Sequence, residues 1–222
     1  PVFFFFLGLE NVQTYVLDCI EANPFLSARE LAIKVVQQAS SFDGYSPKDD
    51  ITCGVIYFRN PRDMLVVTGP PVLKDNDKVV ASLFDTFDGR KIICGGTTAN
   101  ILSRELNRKI NVILKDIDPI VPPISEMEGA DMVTEGIITM GKVSEILENG
   151  GNTDKMKRNA ATRMVDMFLD SDRIRFAVGT KINEAHQDPN MPVELEIRRN
   201  IVKKIASLLQ DKYLKEVHIQ YF

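Results

Sequence analysis

The sequence predicts an α/β protein in two parts, the second of which contains a mostly parallel sheet. After Asp63, short runs rich in β-branched residues alternate with segments of helical periodicity, an order that is typical of βαβ units. Before it, two amphipathic helices lead into one apolar run, and the turn Asn60-Pro61-Arg62-Asp63 follows. We therefore place a domain boundary near Asp63, with residues 1–62 and 63–222 as separate domains.

Length, composition and charge are those of an ordinary globular protein. The chain has 222 residues, of which 44% are hydrophobic and 26% are charged. Its 27 Lys and Arg against 31 Asp and Glu give a net charge of −4. A mild negative charge argues against non-specific binding to nucleic acid or to an anionic membrane. We therefore expect neither of them as a partner, and a homodimer is left open.

The cysteines and histidines indicate neither disulfides nor zinc. Cys19, Cys53 and Cys94 are odd in number, far apart, and each lies in an apolar run. This pattern favours buried, reduced thiols in a cytoplasmic protein. His186 and His218 have no cysteine or histidine partner at ligand spacing, so no zinc site is expected.

The first part is predicted to contain a strand and two helices. Val2–Leu7 is apolar but too short to span a bilayer, and it lacks the basic region of a signal peptide, so it is interpreted as a buried strand. A helix follows with Asn11 as its cap, and Pro24 ends it. The capping box Ser27-Ala28-Arg29-Glu30 predicts a second helix to about Ser40.

An apolar run with two carboxylates in front of it follows these helices. Ile51–Phe58 is mostly β-branched, aromatic or small, which predicts a buried strand. Asp49 and Asp50 would lie at its rim, where a rigid pair of carboxylates suits Mg²⁺ or Mn²⁺, because hard cations take oxygen ligands. The alternative is a turn in which these aspartates accept hydrogen bonds from nearby backbone N–H groups.

The segment Lys48-Asp49-Asp50-Ile51-Thr52, followed by an apolar run ending in Arg59, resembles the closing motif of metal-dependent protein phosphatases of type 2C, in the branch of stage II sporulation protein E. Asn23 to Ala32 resembles the start of the helix that precedes this motif. The resemblance covers about the first quarter of the chain. It implies that residues 1–62 are the end of a phosphatase-like α/β sandwich, with Asp49 as a ligand of one of two Mn²⁺ or Mg²⁺ ions and Asp50 as the second choice.

The same resemblance implies an activity. The phosphatase would hydrolyse phosphoserine or phosphothreonine on a phosphoprotein substrate in bacterial signalling, with two cations that activate a water and no protein nucleophile. In the family, an Asp-Gly motif and another Asp lie upstream of the matched region, and this chain has neither where expected. Asp43-Gly44 comes too late and is interpreted as a turn. We therefore expect a fragment, or residues missing ahead of Leu7, so that this chain alone is catalytically incomplete.

The second part is predicted to alternate between strands and helices up to a loop at Pro119–Asp131. Before the loop, the predicted elements are strands at Met64–Thr68, Lys91–Cys94 and Asn111–Leu114, and helices at Asp75–Phe87 and from Gly95 to about Leu106. After it they are a short strand Asp131–Thr134, a helical turn Gly141–Leu147, a helix Thr153–Leu169, a strand Ile174–Gly179, a helix from near Pro192 to about Leu214, and a strand Val217–Phe222.

The segment Gly95-Gly96-Thr97-Thr98 lies between a predicted strand and a predicted helix. Small residues let backbone N–H groups point at an anion, and the helix N-terminus adds positive potential, so the phosphate of a small molecule would fit there. The alternative is that glycine provides a tight turn and threonine caps the helix. Val178-Gly179-Thr180-Lys181 is a candidate second phosphate contact at the same sheet edge. The rival to the phosphatase function is therefore a non-catalytic regulatory or ligand-sensing module that binds a phosphorylated small molecule.

A third candidate site is an acidic cluster in and around the proline-rich loop. Its carboxylates could hold a metal or a cationic ligand, although solvated surface is the more ordinary interpretation. Its members are Asp116, Asp118, Glu126, Glu128 and Asp131. With two histidines, no Ser-His-Asp or Cys-His arrangement can be assembled from the sequence.

Overall fold

The computed structural model of the protein describes residues 8–24, 26–113, 118–181 and 192–222, the first four residues of the last range by their backbone alone. It divides into two compact units, Pro1–Asn60 and Pro61–Phe222. The predicted boundary near Asp63 coincides with the first residue of the first strand. The predicted strand Val2–Leu7 lies outside the described residues.

The first unit has two helices among its described residues, α1 at Leu9–Ala22 and α2 at Ala28–Phe42. No side chain caps α1, which begins two residues before the predicted cap Asn11 and ends before Pro24. The predicted capping box of α2 is confirmed: the Glu30 N–H donates to Ser27 Oγ over 3.2 Å, and the Ser27 N–H donates to the Glu30 carboxylate over 2.8 Å.

The predicted strand Ile51–Phe58 is wrong. This segment has no regular secondary structure, and its largest side chains lie in solvent, Ile56 with 82% and Phe58 with 89% exposure. An extended run forms a strand only when a neighbour pairs with its backbone groups, and the described residues of the first unit supply no such neighbour. Apolar, β-branched composition therefore does not suffice here.

The second unit contains seven strands and five helices among its described residues. The strands are β1 Asp63–Thr68, β2 Arg90–Cys94, β3 Ile110–Val112, β4 Ser125–Met127, β5 Met132–Thr134, β6 Arg173–Val178 and β7 Glu216–Tyr221. The helices are α3 Asn76–Thr86, α4 Gly96–Leu106, α5 Ile137–Glu148, α6 Ala160–Asp170 and α7 Pro192–Asp211. The predicted α/β class and alternating order are confirmed.

The seven strands form one sheet in the order β3-β4-β5-β2-β1-β6-β7. Neighbours from β5 through β7 pair in parallel, whereas β4 is antiparallel to both β3 and β5. The prediction of a mostly parallel sheet is therefore confirmed. β1 lies near the centre and is buried from Met64 to Thr68, as expected of a parallel strand covered on both faces.

Helices cover the two faces of the sheet unequally. Leu65 and Val67 of β1 pack with α3 and α4, while the alternating residues Met64 and Val66 pack with α5, α6 and α7. The core between the sheet and α5, α6 and α7 is the larger of the two. It contains the ring pair of Phe168 and Phe176, whose centroids lie 5.8 Å apart. The connections after β1 and β2 thus lie on one face, and those after β5 and β6 on the other.

Three element predictions in this unit need correction. β4 lies inside the predicted loop Pro119–Asp131. α5 begins at Ile137, a turn earlier than predicted. α6 begins at Ala160 rather than near Thr153, because Asn159 forms a capping box with Thr162, whereas the Thr153 hydroxyl donates to Asp166. Local capping chemistry decided the last of these positions.

None of the helices that the structure describes is both long enough and apolar enough to cross a lipid bilayer.

Phe168→Ala should destabilise the second unit by about 3–5 kcal/mol, because Phe168 is fully buried in the larger core and its loss leaves a cavity. Phe58→Ala should change the free energy of unfolding by less than about 0.5 kcal/mol, since that ring is exposed. Urea unfolding followed by circular dichroism measures both. A large loss for Phe58→Ala would indicate that the Ile51–Phe58 segment is packed after all.

Candidate functional site

A cavity of about 210 Å³ opens at the carboxyl edge of the sheet. β2 and β5 are neighbouring strands, but the helix that follows β2 packs on one face of the sheet and the helix that follows β5 packs on the other. The two connections therefore diverge at this edge, and open α/β sheets bind ligands in the crevice that such a divergence creates. Its lining comes from the ends of β1, β2 and β5 and from α7: Gly69, Pro70, Cys94, Gly95, Gly96, Thr97, Thr98, Glu135, Gly136, Ile137, Ile138 and Arg198. The whole predicted segment Gly95-Gly96-Thr97-Thr98 is therefore part of the cavity wall.

The N-terminus of α4 forms one wall. Gly95 has a φ of +111°, which an L-residue rarely adopts, so a glycine is needed at this turn. Its N–H donates to the Thr134 carbonyl over 2.8 Å. No side chain caps α4, so the predicted alternative is half right: glycine provides the turn, but neither Thr97 nor Thr98 caps the helix. The first-turn amides of α4 have no intrahelical acceptor and lie beside the cavity.

The N-terminus of α5 forms the facing wall. Its N-cap is Gly136, which also lacks a side-chain cap. A Cβ on Gly136 would lie 3.5 Å from the Gly95 Cα, so the two helix starts are in close contact. Each helix N-terminus carries roughly half a positive charge, and here two of them meet at one cavity. The sequence prediction missed this wall because it began the helix at Gly141; the available signal was Gly136, a small residue two positions after the predicted strand Asp131–Thr134.

Arg198 supplies the cationic side chain of the lining. It lies one helical turn before the buried Val202 of α7, and a Cβ on Gly69 would lie 3.0 Å from its Nη1 atom. Gly69 therefore gives the guanidinium room to lie against the backbone after β1. The sequence prediction missed Arg198 as well, because only the packing of α7 brings this residue to the cavity.

Glu135 supplies the negative charge of the lining. Its Oε1 atom lies 3.9 Å from the position that a Cβ on Gly96 would take, and the side chain is exposed. A carboxylate next to a helix N-terminus is attracted to it, but it also repels any other anion that binds there. The cavity therefore combines the N–H donors of two helix N-termini with one carboxylate, that of Glu135, which opposes the binding of an anion.

Cys94 forms part of the base of the cavity. Complete burial raises the pKa of its thiol to about 12, so the thiol is protonated at neutral pH and is a poor nucleophile. All three cysteines are free thiols; Cys94 is buried as predicted, whereas Cys19 and Cys53 are only partly buried. Next to Cys94 in register, the buried Thr68 hydroxyl has no hydrogen-bond partner among the described residues.

The predicted second phosphate contact, Val178-Gly179-Thr180-Lys181, lies at the same edge but is occupied by internal hydrogen bonds. The Gly179 N–H donates to the Thr68 carbonyl, and the Thr180 N–H and hydroxyl both donate to the Phe222 carbonyl. The Lys181 N–H donates to the Pro70 carbonyl over 3.0 Å. These backbone donors therefore hold the edge together and do not line the cavity.

The predicted metal ligands Asp49 and Asp50 are both exposed; Asp49 lies in a bend and Asp50 directly follows it. The Asp50 N–H donates to Asp49 Oδ1 over 2.8 Å, the local bond expected from the alternative interpretation as a turn. Among the described residues, no three His, Cys, Asp or Glu side chains are grouped so that they could hold a metal ion. A cation at this pair would therefore have to take most of its ligands from water.

The predicted acidic cluster is dispersed. Asp118 accepts hydrogen bonds from the Val121 and Ile120 amides and from Asn159, which together lower the pKa of its carboxyl to about 2. Asp131 accepts from the Lys91 N–H over 2.7 Å. Glu126 and Glu128 are exposed, and Asp116 lies outside the described residues. Asp118 and Asp131 therefore stabilise turns, and the cluster forms no common site.

Comparisons with protein-family models, with curated proteins and with solved structures gave no match to this chain.

Gly179→Ala should destabilise the carboxyl edge, because the added Cβ would lie 2.2 Å from the Gly69 and Pro70 carbonyl oxygens, and backbone cannot move aside easily. We expect a loss of about 2–4 kcal/mol in the free energy of unfolding. Gly141→Ala is the matched control: it lies inside α5 with nothing within 4 Å of the new methyl group, and should stabilise by about 0.5–1 kcal/mol. Equal effects of the two substitutions in thermal unfolding would contradict this packing.

Proposed function

We propose that residues 63–222 form a regulatory, ligand-sensing module whose carboxyl-edge cavity binds the phosphate group of a small phosphorylated molecule. The observation that carries the proposal is the meeting of two helix N-termini without side-chain caps, α4 and α5, at one cavity. Unsatisfied amides and aligned helix dipoles together favour an anion. Arg198 adds a planar set of donors that matches phosphate oxygens.

The size of the cavity limits the ligand. Drug-sized molecules occupy pockets of about 300–1,000 Å³, and this cavity holds about 210 Å³. A phosphate with a short carbon chain would fill it, and a larger body would extend into solvent. The donors are backbone amides and a guanidinium, groups that hold an anion without transforming it. For this reason we favour a sensing role over turnover at this cavity.

Inorganic phosphate and glycerol 3-phosphate are suitable probes, with glycerol as the uncharged control. At about 100 times its dissociation constant, a bound probe should raise the free energy of unfolding by about 2.7 kcal/mol. Arg198→Gln should weaken phosphate binding by about tenfold or more, because a charge-assisted hydrogen bond is lost. Glu135→Gln should strengthen it by about two- to fivefold, because a like charge is removed. Isothermal titration calorimetry measures the affinities.

Lys203→Gln is the matched control, since Lys203 is an exposed cation on the same helix as Arg198. It should leave the affinity unchanged, apart from the small effect of net charge. If Lys203→Gln and Arg198→Gln weaken phosphate binding equally, the binding depends on the overall charge of the protein and not on a specific contact with Arg198. The absence of saturable phosphate binding to the unmodified chain would remove the proposal.

Metal-dependent protein phosphatase activity is the second proposal, and it rests on the motif Lys48 to Thr52. The exposure of Asp49 and Asp50 leaves both carboxylates open to a hydrated Mn²⁺ or Mg²⁺ ion, as such an ion requires. Their position outside a strand gives them no rigid support. If this proposal holds, the ions would clamp the phosphoryl oxygens of a phosphoserine or phosphothreonine substrate and activate a water.

Release of phosphate from a phosphoserine peptide in the presence of Mn²⁺ tests this second proposal. Activity that falls to background with Asp49→Asn, and persists with Asp43→Asn in the neighbouring exposed turn, would support it. Turnover that is insensitive to Asp49→Asn, or no turnover with either Mn²⁺ or Mg²⁺, would argue against a catalytic metal at this pair in this chain.

A further inference from the structure

Among the residues that the structure describes, no helix covers one face of the sheet where β6 and β7 pair. The side chains on their other face, such as Phe176 and Val217, are buried in the larger core. The open face carries five exposed or partly paired polar side chains, in register across the two strands: Arg173, Arg175, Glu216, His218 and Gln220. α3 and α4 cover the neighbouring β1 and β2 on this face. Parallel strands are usually covered on both faces, so this polar strip is unusual.

A second cavity, of about 420 Å³, lies between this open face and the end of α3. It is at the amino edge of the sheet, the opposite end of the strands from the first cavity, and it has twice the volume. This volume falls within the range of small-molecule sites. The end of α3 and the residues after it contribute Leu83, Thr86, Phe87 and Asp88 to the lining, and the strands contribute Arg175 and His218 among others.

Four of the polar side chains that line this cavity form two pairs, whereas those of Arg175 and Asp88 have no hydrogen-bond or ion-pair partner among the residues that the structure describes. Arg173 donates from two nitrogens to the Asp63 carboxylate, each over 2.6 Å, and His218 Nε2 lies 3.0 Å from a Glu216 carboxylate oxygen. Arg175 lies beside His218 in register, and its side chain makes no hydrogen bond or ion pair with the residues that the structure describes. The pairs around it fix its neighbours and leave its guanidinium facing the cavity.

We propose that this cavity binds a small carboxylic acid with an apolar body, and that the carboxylate pairs with Arg175. The guanidinium fork matches a carboxylate with two parallel hydrogen bonds, and the body of the acid would lie against Leu83 and Phe87. Three lining carboxylates, on Asp63, Asp88 and Glu216, select against a doubly charged phosphate more than against a single negative charge. The ligand class therefore differs from that proposed for the carboxyl edge.

Phenylacetate is the probe, and phenylacetamide, which has the same shape without the charge, is its control ligand. The full chain, titrated with each compound and followed by ¹H–¹⁵N spectra, should show saturable shifts at the amides of β6 and β7 with phenylacetate. Arg175→Gln should weaken phenylacetate binding by about tenfold or more, to roughly the affinity of phenylacetamide for the unmodified chain. Arg29→Gln, an exposed arginine of α2, should leave it unchanged.

A check of the variant's structure and a competition experiment distinguish loss of this binding site from misfolding and from binding at the first cavity. Circular dichroism of Arg175→Gln should match that of the unmodified chain, because the side chain is exposed and no described contact depends on it. Inorganic phosphate should not displace phenylacetate, and Arg198→Gln at the other cavity should not affect it. The proposal is overturned if phenylacetate does not saturate, if phenylacetamide binds equally well, or if Arg175→Gln leaves the affinity intact.

Discussion

The second unit depends on one constraint, the parallel pairing of β5, β2, β1, β6 and β7. Parallel neighbours cannot be joined by a hairpin, so each connection must return across a face of the sheet. Every helix that directly follows one of these strands therefore begins at the same edge. This requirement brings α4 and α5 together beside Gly95 and Gly136, although about forty residues separate these glycines along the chain. The donor-rich cavity is thus a product of topology.

The same pairing leaves the two ends of the strands chemically different. At the carboxyl edge, backbone amides dominate, and Glu135 is the acidic member of the described lining. At the amino edge, side chains dominate: Arg173 pairs with Asp63 and His218 with Glu216, beside Arg175 and Asp88, whose side chains have no partner among the described residues. Backbone N–H groups at helix N-termini suit a compact anion with several oxygens, such as phosphate. An arginine near apolar side chains suits a ligand that has both a charged group and an apolar body. One sheet therefore carries two cavities of different chemistry, one at each edge.

The sequence predicts the core elements of the sheet because burial and composition agree there. Met64–Thr68 and Ile174–Val178 are apolar runs, and both are strands. The same rule fails in two places. Ile51–Phe58 is equally apolar, but no described strand pairs with it, so it forms no strand. Ser125–Met127 is more polar, but it forms a strand because neighbouring strands pair with it. Gly95 to Thr98 could be found from local sequence. Arg198 could not, because only the packing of α7 brings it to the cavity.

The carbonyl of Phe222 accepts hydrogen bonds from both the N–H and the hydroxyl of Thr180, and its own N–H donates to the Val178 carbonyl. The carboxyl end of β7 is thereby tied to the loop that touches Gly69, at the rim of the first cavity. Fraying of Phe222, which directly follows β7, would therefore also loosen the loop beside Gly69.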